Sequence, residues 1–198
     1  MSIQGVSDPE LVERARRGDD AAFGMLVDRH RTAVFRAVLA ALGTREGADE
    51  VAQEAFMAAY RHLPDFREHA SFKTWLLSIA WRKALSHRRS VRTFVSRFVQ
   101  PPEETEWQIP GGGRSQEQAV LDTELKDTIR RQIARLTPKL RDALLLSASG
   151  DYNYDEIAGM LAIPVGTLKW RVSEARRQLK QRLADSGLGI RDSGFGRG

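Results

Sequence analysis

The chain has no cysteine, which removes disulfides, thiol nucleophiles and thiolate metal sites together and suits a reducing compartment. Long apolar runs are also missing. The stretch Ala33 to Leu42 is short and interrupted by Arg36, well below the ~20 apolar residues of a membrane helix. The start, MSIQGVSDPELVERARRG, has no apolar core of the kind an export signal needs. Cytoplasmic residence without membrane insertion is the expectation. The sequence contains no Gly-x-x-x-x-Gly-Lys-Ser, Gly-x-Ser-x-Gly or dinucleotide fingerprint, and Gly111 to Gly113 lack the flanking strand and helix of a phosphate loop. His30, His62, His69 and His87 show no His-x-x-x-His or Glu-x-x-His spacing and are expected at the surface or at caps. No catalytic residue, metal ligand or cofactor is predicted.

What is present is helical and basic. Lys plus Arg (31) outnumber Asp plus Glu (26), and the pI is near 9.9, which favours a polyanionic partner. Runs of alternating β-branched residues are absent, so an all-α protein is predicted. Ser7-Asp8-Pro9-Glu10 reads as the start of a helix that stops at Gly18. A second begins near Asp19 or Asp20 and buries Phe23, Leu26, Val27, Val34, Val38 and Leu42 before Gly43. A third, from about Arg45 to His62, turns Val51, Ala55, Phe56, Ala59 and Tyr60 inward and leaves Asp49, Glu50, Gln53 and Glu54 outside. Leu63 to Ala70 is a loop ending in a Ser71 cap, and a fourth helix runs from Phe72 to Arg89 or beyond.

The segment QPPEETEWQIPGGGRS combines prolines, a glycine triplet and acids with little apolar content, as a flexible linker does. Two small helical domains follow from it: residues 1–99 and 117–184, joined by a linker at 100–116, with a disordered tail at 185–198. Helical patterning resumes from about Gln116 to Leu136, restarts at Thr137-Pro138 through Ser147, and continues in two helices near Asn153 to Leu161 and Pro164 to Leu183.

Three constellations bear on function. In YDEIAGMLAIPVGTLKWRVSEARRQL, two helices meet at a turn spanning Ala162 to Pro164, a helix-turn-helix. Ile157, Leu161, Ile163, Leu168 and Val172 pack its angle, with small Ala158 at the crossing. Ala162 stands where a left-handed backbone usually takes glycine, at a cost of about 1 kcal/mol. The second helix presents Thr167, Lys169, Trp170, Arg171, Ser173, Glu174, Arg176 and Arg177, as a recognition helix in a major groove would. An αα-hairpin with a solvated basic face is the plainer alternative.

The second constellation is an acid-free interval from His69 to Pro102 holding Lys73, Arg82, Lys83, Arg88, Arg89, Arg92 and Arg97. Phe72, Trp75 and Trp81 interleave with these bases, a pairing of phosphate track and stacking surface that suits single-stranded nucleic acid. Trp75 falls on the apolar face with Leu76, Ile79 and Ala80, which leaves Trp81 as the better candidate for a base contact. The loop from His62 to Glu68 can frame a pocket for one unstacked base. Third, Asp49, Glu50, Gln53 and Glu54 form an acidic face suited to a basic protein surface, or simply a solvated helix face.

In this order the parts resemble the extracytoplasmic-function (ECF) group of bacterial sigma-70 sigma factors. DEVAQEAFMAAYRHLPDF is similar to the family's core-binding helix and loop, FKTWLLSIAWRKALSHRR to its promoter-melting helix, and Leu136 to Leu179 to its DNA-binding domain. The resemblance implies that Asp49, Gln53, Glu54 and Phe56 meet core RNA polymerase. It implies minus-10 contacts, with single-stranded DNA, from Pro64, Asp65, Phe66, Ser71, Lys73, Thr74, Trp81, Arg82, Arg88 and Arg89. Double-stranded minus-35 DNA would fall to Thr167, Lys169, Trp170, Arg171, Ser173, Glu174, Arg176 and Arg177, and the acidic linker would lie toward the RNA exit path. Trp170 stands where relatives carry a small serine and Glu174 where they carry arginine. That exchange implies a different minus-35 sequence, with Glu174 accepting from a cytosine amino group. An anti-sigma factor is the implied regulatory partner. Readings of other classes are a self-sufficient helix-turn-helix regulator, which would dimerise on a palindrome, and a basic amphipathic protein at an anionic membrane.

Overall fold

The computed structural model describes residues 5–67, 70–98, 125 and 127–185, and among these there is no strand. The expected linker at 100–116 and the tail from 186 lie outside the described residues.

Helix α1 (Asp8–Arg16) starts where Ser7 Oγ accepts the Glu10 amide, with Pro9 in its first turn, where a missing N–H costs nothing. Helix α2 (Asp20–Leu42) is capped by the Asp19 carboxylate on the Ala22 amide at 3.0 Å and ends at Gly43, whose φ of 82° is the left-handed stop that glycine permits. Helix α3 (Ala48–His62) runs into a 3-10 turn at Leu63–Asp65, and α4 (Phe72–Phe98) follows a Ser71 side chain that accepts the Thr74 amide at 3.1 Å. After the linker come α5 (127–134), α6 (Pro138–Ala148), α7 (Tyr154–Leu161) and α8 (Val165–Asp185).

In the first half, Leu26, Val34 and Val38 of α2 pack with Leu11 and Val12 of α1, Val51, Ala55 and Ala59 of α3, and Leu76, Leu77 and Ala84 of α4. Two expectations are corrected here. Tyr60 points outward, 44% exposed, because its hydroxyl reaches Asp20 at 2.6 Å and its ring leans edge-on against Phe23. His30 is buried rather than at the surface, since Asp8 Oδ2 shares a 2.8 Å hydrogen bond with its Nε2 and satisfies the ring in the core.

The helix-turn-helix is present as predicted. Asn153 and Glu156 form a reciprocal capping box at the start of α7, and Ala162 turns the chain at φ 52°, ψ 48°. The predicted two-domain layout acquires a feature that periodicity does not reveal. Ala143, Leu146, Ile157, Met160, Leu168 and Val172 of the second half belong to the same apolar cluster as the first-half core, while Ile133, Leu136, Leu140, Leu144 and Ala175 form a satellite.

Candidate polymerase and nucleic-acid surfaces

On α3, Val51, Ala52, Ala55, Ala58 and Ala59 face the core, which leaves Asp49, Glu50, Gln53 and Glu54 exposed on the opposite side. Asp49 and Glu50 stand in the first turn, where carboxylates complement the helix dipole. Glu54 takes a hydrogen bond from Lys83 Nζ at 3.1 Å. Phe56 is half-buried and borders an apolar groove of about 490 Å³ lined by Phe23, Val27, Gln53, Met57, Tyr60 and Arg61. Met57 is 55% exposed. Sequence reasoning missed Met57 and misplaced Tyr60; the available signal was an apolar residue four positions beyond Gln53 on an otherwise polar stripe.

The loop before α4 is tied down from α1. Arg16 donates to the Leu63 carbonyl at 3.2 Å and to the Phe66 carbonyl, and its guanidinium lies 5.7 Å from the Phe66 ring centroid. Pro64, Asp65 and Ser71 are exposed, whereas Phe66 is buried against Phe72 and Trp75. Phe66 is therefore a wall of this loop and not an open base contact. Trp81 is corrected more strongly. It is 1% exposed, because α4 spends that face on the core as well, and it has no surface on which a base could stack. Trp75 is only half-buried.

The cations of α4 are distributed along its length. Lys73 meets Glu156 of α7 at 2.9 Å, Arg82 is exposed and donates to the Ser78 carbonyl at 3.1 Å, and Arg89 is exposed. Arg88 donates to the Ala41 carbonyl at 2.9 Å, with Asp142 of α6 at 3.7 Å. Burial pushes the Asp142 carboxyl above its ordinary range, opposed by the charges of Arg88, Arg141 and Arg171. Arg171 is thus near α6 and half-buried.

On α8, Lys169, Trp170, Ser173, Arg176 and Arg177 are exposed, Trp170 by 63%, and Thr167 is half-buried. Glu174, expected to accept from a cytosine, already has partners within the chain. Arg177 donates through Nε to Oε2 at 2.9 Å and through Nη2 to Oε1 at 2.7 Å, while Gln178 donates to Oε1 at 2.8 Å. These hydrogen bonds hold the Glu174 carboxyl down at about 2. Trp170, Glu174 and Arg177 fall at i, i+4 and i+7 on one stripe.

Residues 26–94, from within α2 through most of α4, match the family model of Sigma-70 region 2, and residues 126–179 match that of Sigma-70, region 4. The chain is 34% identical over 193 residues to the ECF RNA polymerase sigma-E factor of Escherichia coli, covering 92% of this chain and 97% of that one. It belongs to the ECF sigma factors of the sigma-70 family. The RNA polymerase sigma-H factor of Pseudomonas aeruginosa is also 34% identical, over 187 residues covering 89% and 93% of the two chains. Among solved structures, the sigma factor RpoE of Bartonella quintana, in complex with the anti-sigma factor NepR, has the same fold with a TM-score of 0.62 at 20% identity, covering 82% and 96%. This sigma factor binds core RNA polymerase and recognises minus-10 and minus-35 promoter elements. The region 2 match spans α2 to α4 and the region 4 match spans α5 to α8. No described helix is long and apolar enough to cross a membrane.

Proposed function

We propose that this sigma factor docks on polymerase through α3, with Asp49, Gln53 and Glu54 facing a basic partner surface and the groove at Phe56, Met57 and Tyr60 taking an apolar side chain. The observation behind this reading is the juxtaposition itself: four exposed polar or acidic side chains on α3, with a 490 Å³ apolar groove between α3 and α2 next to them. Charge of this kind steers encounter and fixes register, while a desolvated apolar pocket supplies most of the affinity.

Minus-10 DNA is read by the exposed loop residues Pro64, Asp65 and Ser71 together with Lys73, Thr74, Arg82, Arg88 and Arg89 of α4. Pro64 and Asp65 frame a pocket for an unstacked base, and the cations follow the strand. Minus-35 DNA is read from α8, where Lys169, Arg176 and Arg177 contact phosphates, and Thr167, Ser173 and Trp170 approach base edges. Glu174 acts by holding Arg177 in place. The chain contributes no chemistry of its own, since polymerase makes the phosphodiester bond. It works in the cytoplasm, and an anti-sigma factor restrains it, as NepR binds the Bartonella protein.

Charge reversal by Asp49→Lys with Glu54→Lys weakens binding to core polymerase by about tenfold or more, equivalent to ~1.4 kcal/mol. The unfolding midpoint stays within the range of ordinary surface changes. Surface plasmon resonance on immobilised core enzyme reads the first and urea titration the second. A loss of stability with unchanged affinity would refute the docking assignment. Lys169→Ala leaves polymerase affinity intact and lowers promoter-specific run-off transcription.

A further inference from the structure

The turn that follows α3 has two buried anchors and an exposed tip. Leu63 and Phe66 are buried, and between them Pro64 and Asp65 stand in solvent. The backbone bond that spans the tip, from the Phe66 amide to the Leu63 carbonyl, is 3.2 Å long, and 3-10 geometry makes poorer hydrogen bonds than an α-helix does. A short turn of this kind holds its shape only with help from outside.

That help comes from Arg16, the last residue of α1, which lies 47 residues before Leu63 in the sequence. Its Nε donates to the Leu63 carbonyl at 3.2 Å and its Nη2 donates to the Phe66 carbonyl, while the guanidinium lies 5.7 Å from the Phe66 ring centroid. One planar group therefore grips both ends of the exposed tip. The third nitrogen is also engaged: Nη1 donates to Glu13 Oε1 at 2.8 Å, one turn back on α1. Fixed at three corners and half-buried, the fork acts on the loop. Helix α1 can serve as its anchor because Leu11 and Val12 are fully buried and Asp8 bonds to both Arg29 and His30 of α2. Arg16 lies ahead of residues 26–94, which match Sigma-70 region 2; the contacts, not the family match, single it out.

We infer that Arg16 is a positioning residue for minus-10 recognition: it staples the Leu63 and Phe66 carbonyls so that Pro64 and Asp65 present a preformed pocket to the unstacked base. Its role in recognition rests on the assignment of Pro64 and Asp65 to that base; the staple itself does not. A pocket free to reshape accommodates a wrong base, so loss of the staple costs discrimination. The cations of α4 need no such shape, because phosphate contacts carry no sequence information.

Lysine at position 16 keeps the charge and loses the fork, since an ammonium point charge does not reproduce the planar donor geometry of a guanidinium. Arg16→Lys is therefore the main variant. Glu13→Ala, at an exposed position, removes only the third corner, and Asp65→Ala probes the pocket itself. In the free protein, amide-nitrogen NMR relaxation reads backbone order at Asp65. In holoenzyme assembled with core polymerase, a random-sequence pool of 15-nucleotide single-stranded DNA is bound. Sequencing of the bound fraction gives base preference, and total retention gives overall affinity.

Arg16→Lys is expected to lower the order parameter at Asp65 from about 0.85 toward 0.6. It is expected to weaken the preference for the favoured base by about tenfold, within the range that one mismatched base costs. Retention of the pool and affinity for core polymerase stay as in the parent chain, and Glu13→Ala shifts order and preference the same way by less. Unchanged order in Arg16→Lys would overturn the staple and leave the base pocket standing. Lowered order with the preference intact would refute the positioning role. If Asp65→Ala keeps the preference, the pocket assignment fails and the recognition role of Arg16 falls with it, while relaxation still reports on the staple. A parallel loss of preference, pool retention and core affinity in Arg16→Lys would make Arg16 a general structural residue and defeat the inference.

Discussion

Glu174 shows how far a single side chain's role depends on its immediate partners. As an acid on a recognition helix it reads as an acceptor for a base, yet both of its oxygens are occupied by Arg177 and Gln178. Its pKa of about 2 lies below the ordinary value of 4.5. A depressed carboxyl pKa contributes stability that is present above the unfolded value and is lost as pH falls through the folded one. The carboxyl carbon of Glu174 followed by NMR is therefore expected to titrate near 2, and in Arg177→Ala to move up toward 4.5. Ala162 offers a second test. Its φ of 52° strains a residue with a Cβ, so Ala162→Gly is expected to stabilise the protein by about 0.5–1 kcal/mol, after allowing for the greater flexibility of glycine in the unfolded chain. Urea unfolding measures the gain. A loss of stability would mean that the Ala162 methyl contributes more packing than its backbone strain costs.

Helices here are set at their ends by short-range chemistry. Ser7, Asp19, Ser71 and Asn153 each cap the amide three residues on, and all four helices begin where these residues stand. Asn153→Ala removes the reciprocal box at α7 and is expected to cost about 1 kcal/mol, read as a lowered urea midpoint. Glu156→Gln, by comparison, leaves that midpoint nearly unchanged. The faces of helices were less legible than their ends. On α3 the alanine stripe correctly forecast which side is buried, but Tyr60 at its edge was drawn outward by Asp20 forty residues away in sequence. On α4 the buried residues Leu76, Leu77, Ile79, Ala80, Trp81 and Ala84 cover more than half of the circumference, so a basic-aromatic pattern that suggested an open stacking face at Trp81 described a helix with a wide buried side.

The packing of the two halves has consequences for folding. Because Leu146, Ile157 and Met160 join Leu26, Val34 and Leu77 in one cluster, unfolding is expected to be a single cooperative transition. Urea curves from far-UV circular dichroism and from tryptophan fluorescence should coincide. Leu146→Ala, at a fully buried position, is expected to cost about 2–5 kcal/mol. It should lower both curves together if the cluster is shared, and only the signal of the second half if the halves fold apart. Tyr152→Phe removes one hydrogen bond across the halves and is expected to cost about 1 kcal/mol, well short of the cavity variant.

The sigma-70 family was legible through the resemblance of three segments, whereas the ends of the described helices, the helix-turn-helix with its left-handed Ala162 and the exposed acid stripe of α3 were readable from residue order itself. Each depends on interactions within a few residues: caps, glycine stops and the 3.6-residue period. What order along the chain did not reveal was the burial of Trp81 and His30, the groove at Met57, and the engagement of Lys73 by Glu156. Those depend on which helix lies across another. The Tyr152 hydroxyl finds its acceptor 119 residues away, and a cation free in one arrangement of two helices is paired in another. Local periodicity specifies that a face is polar or apolar; only the packed chain decides what covers it.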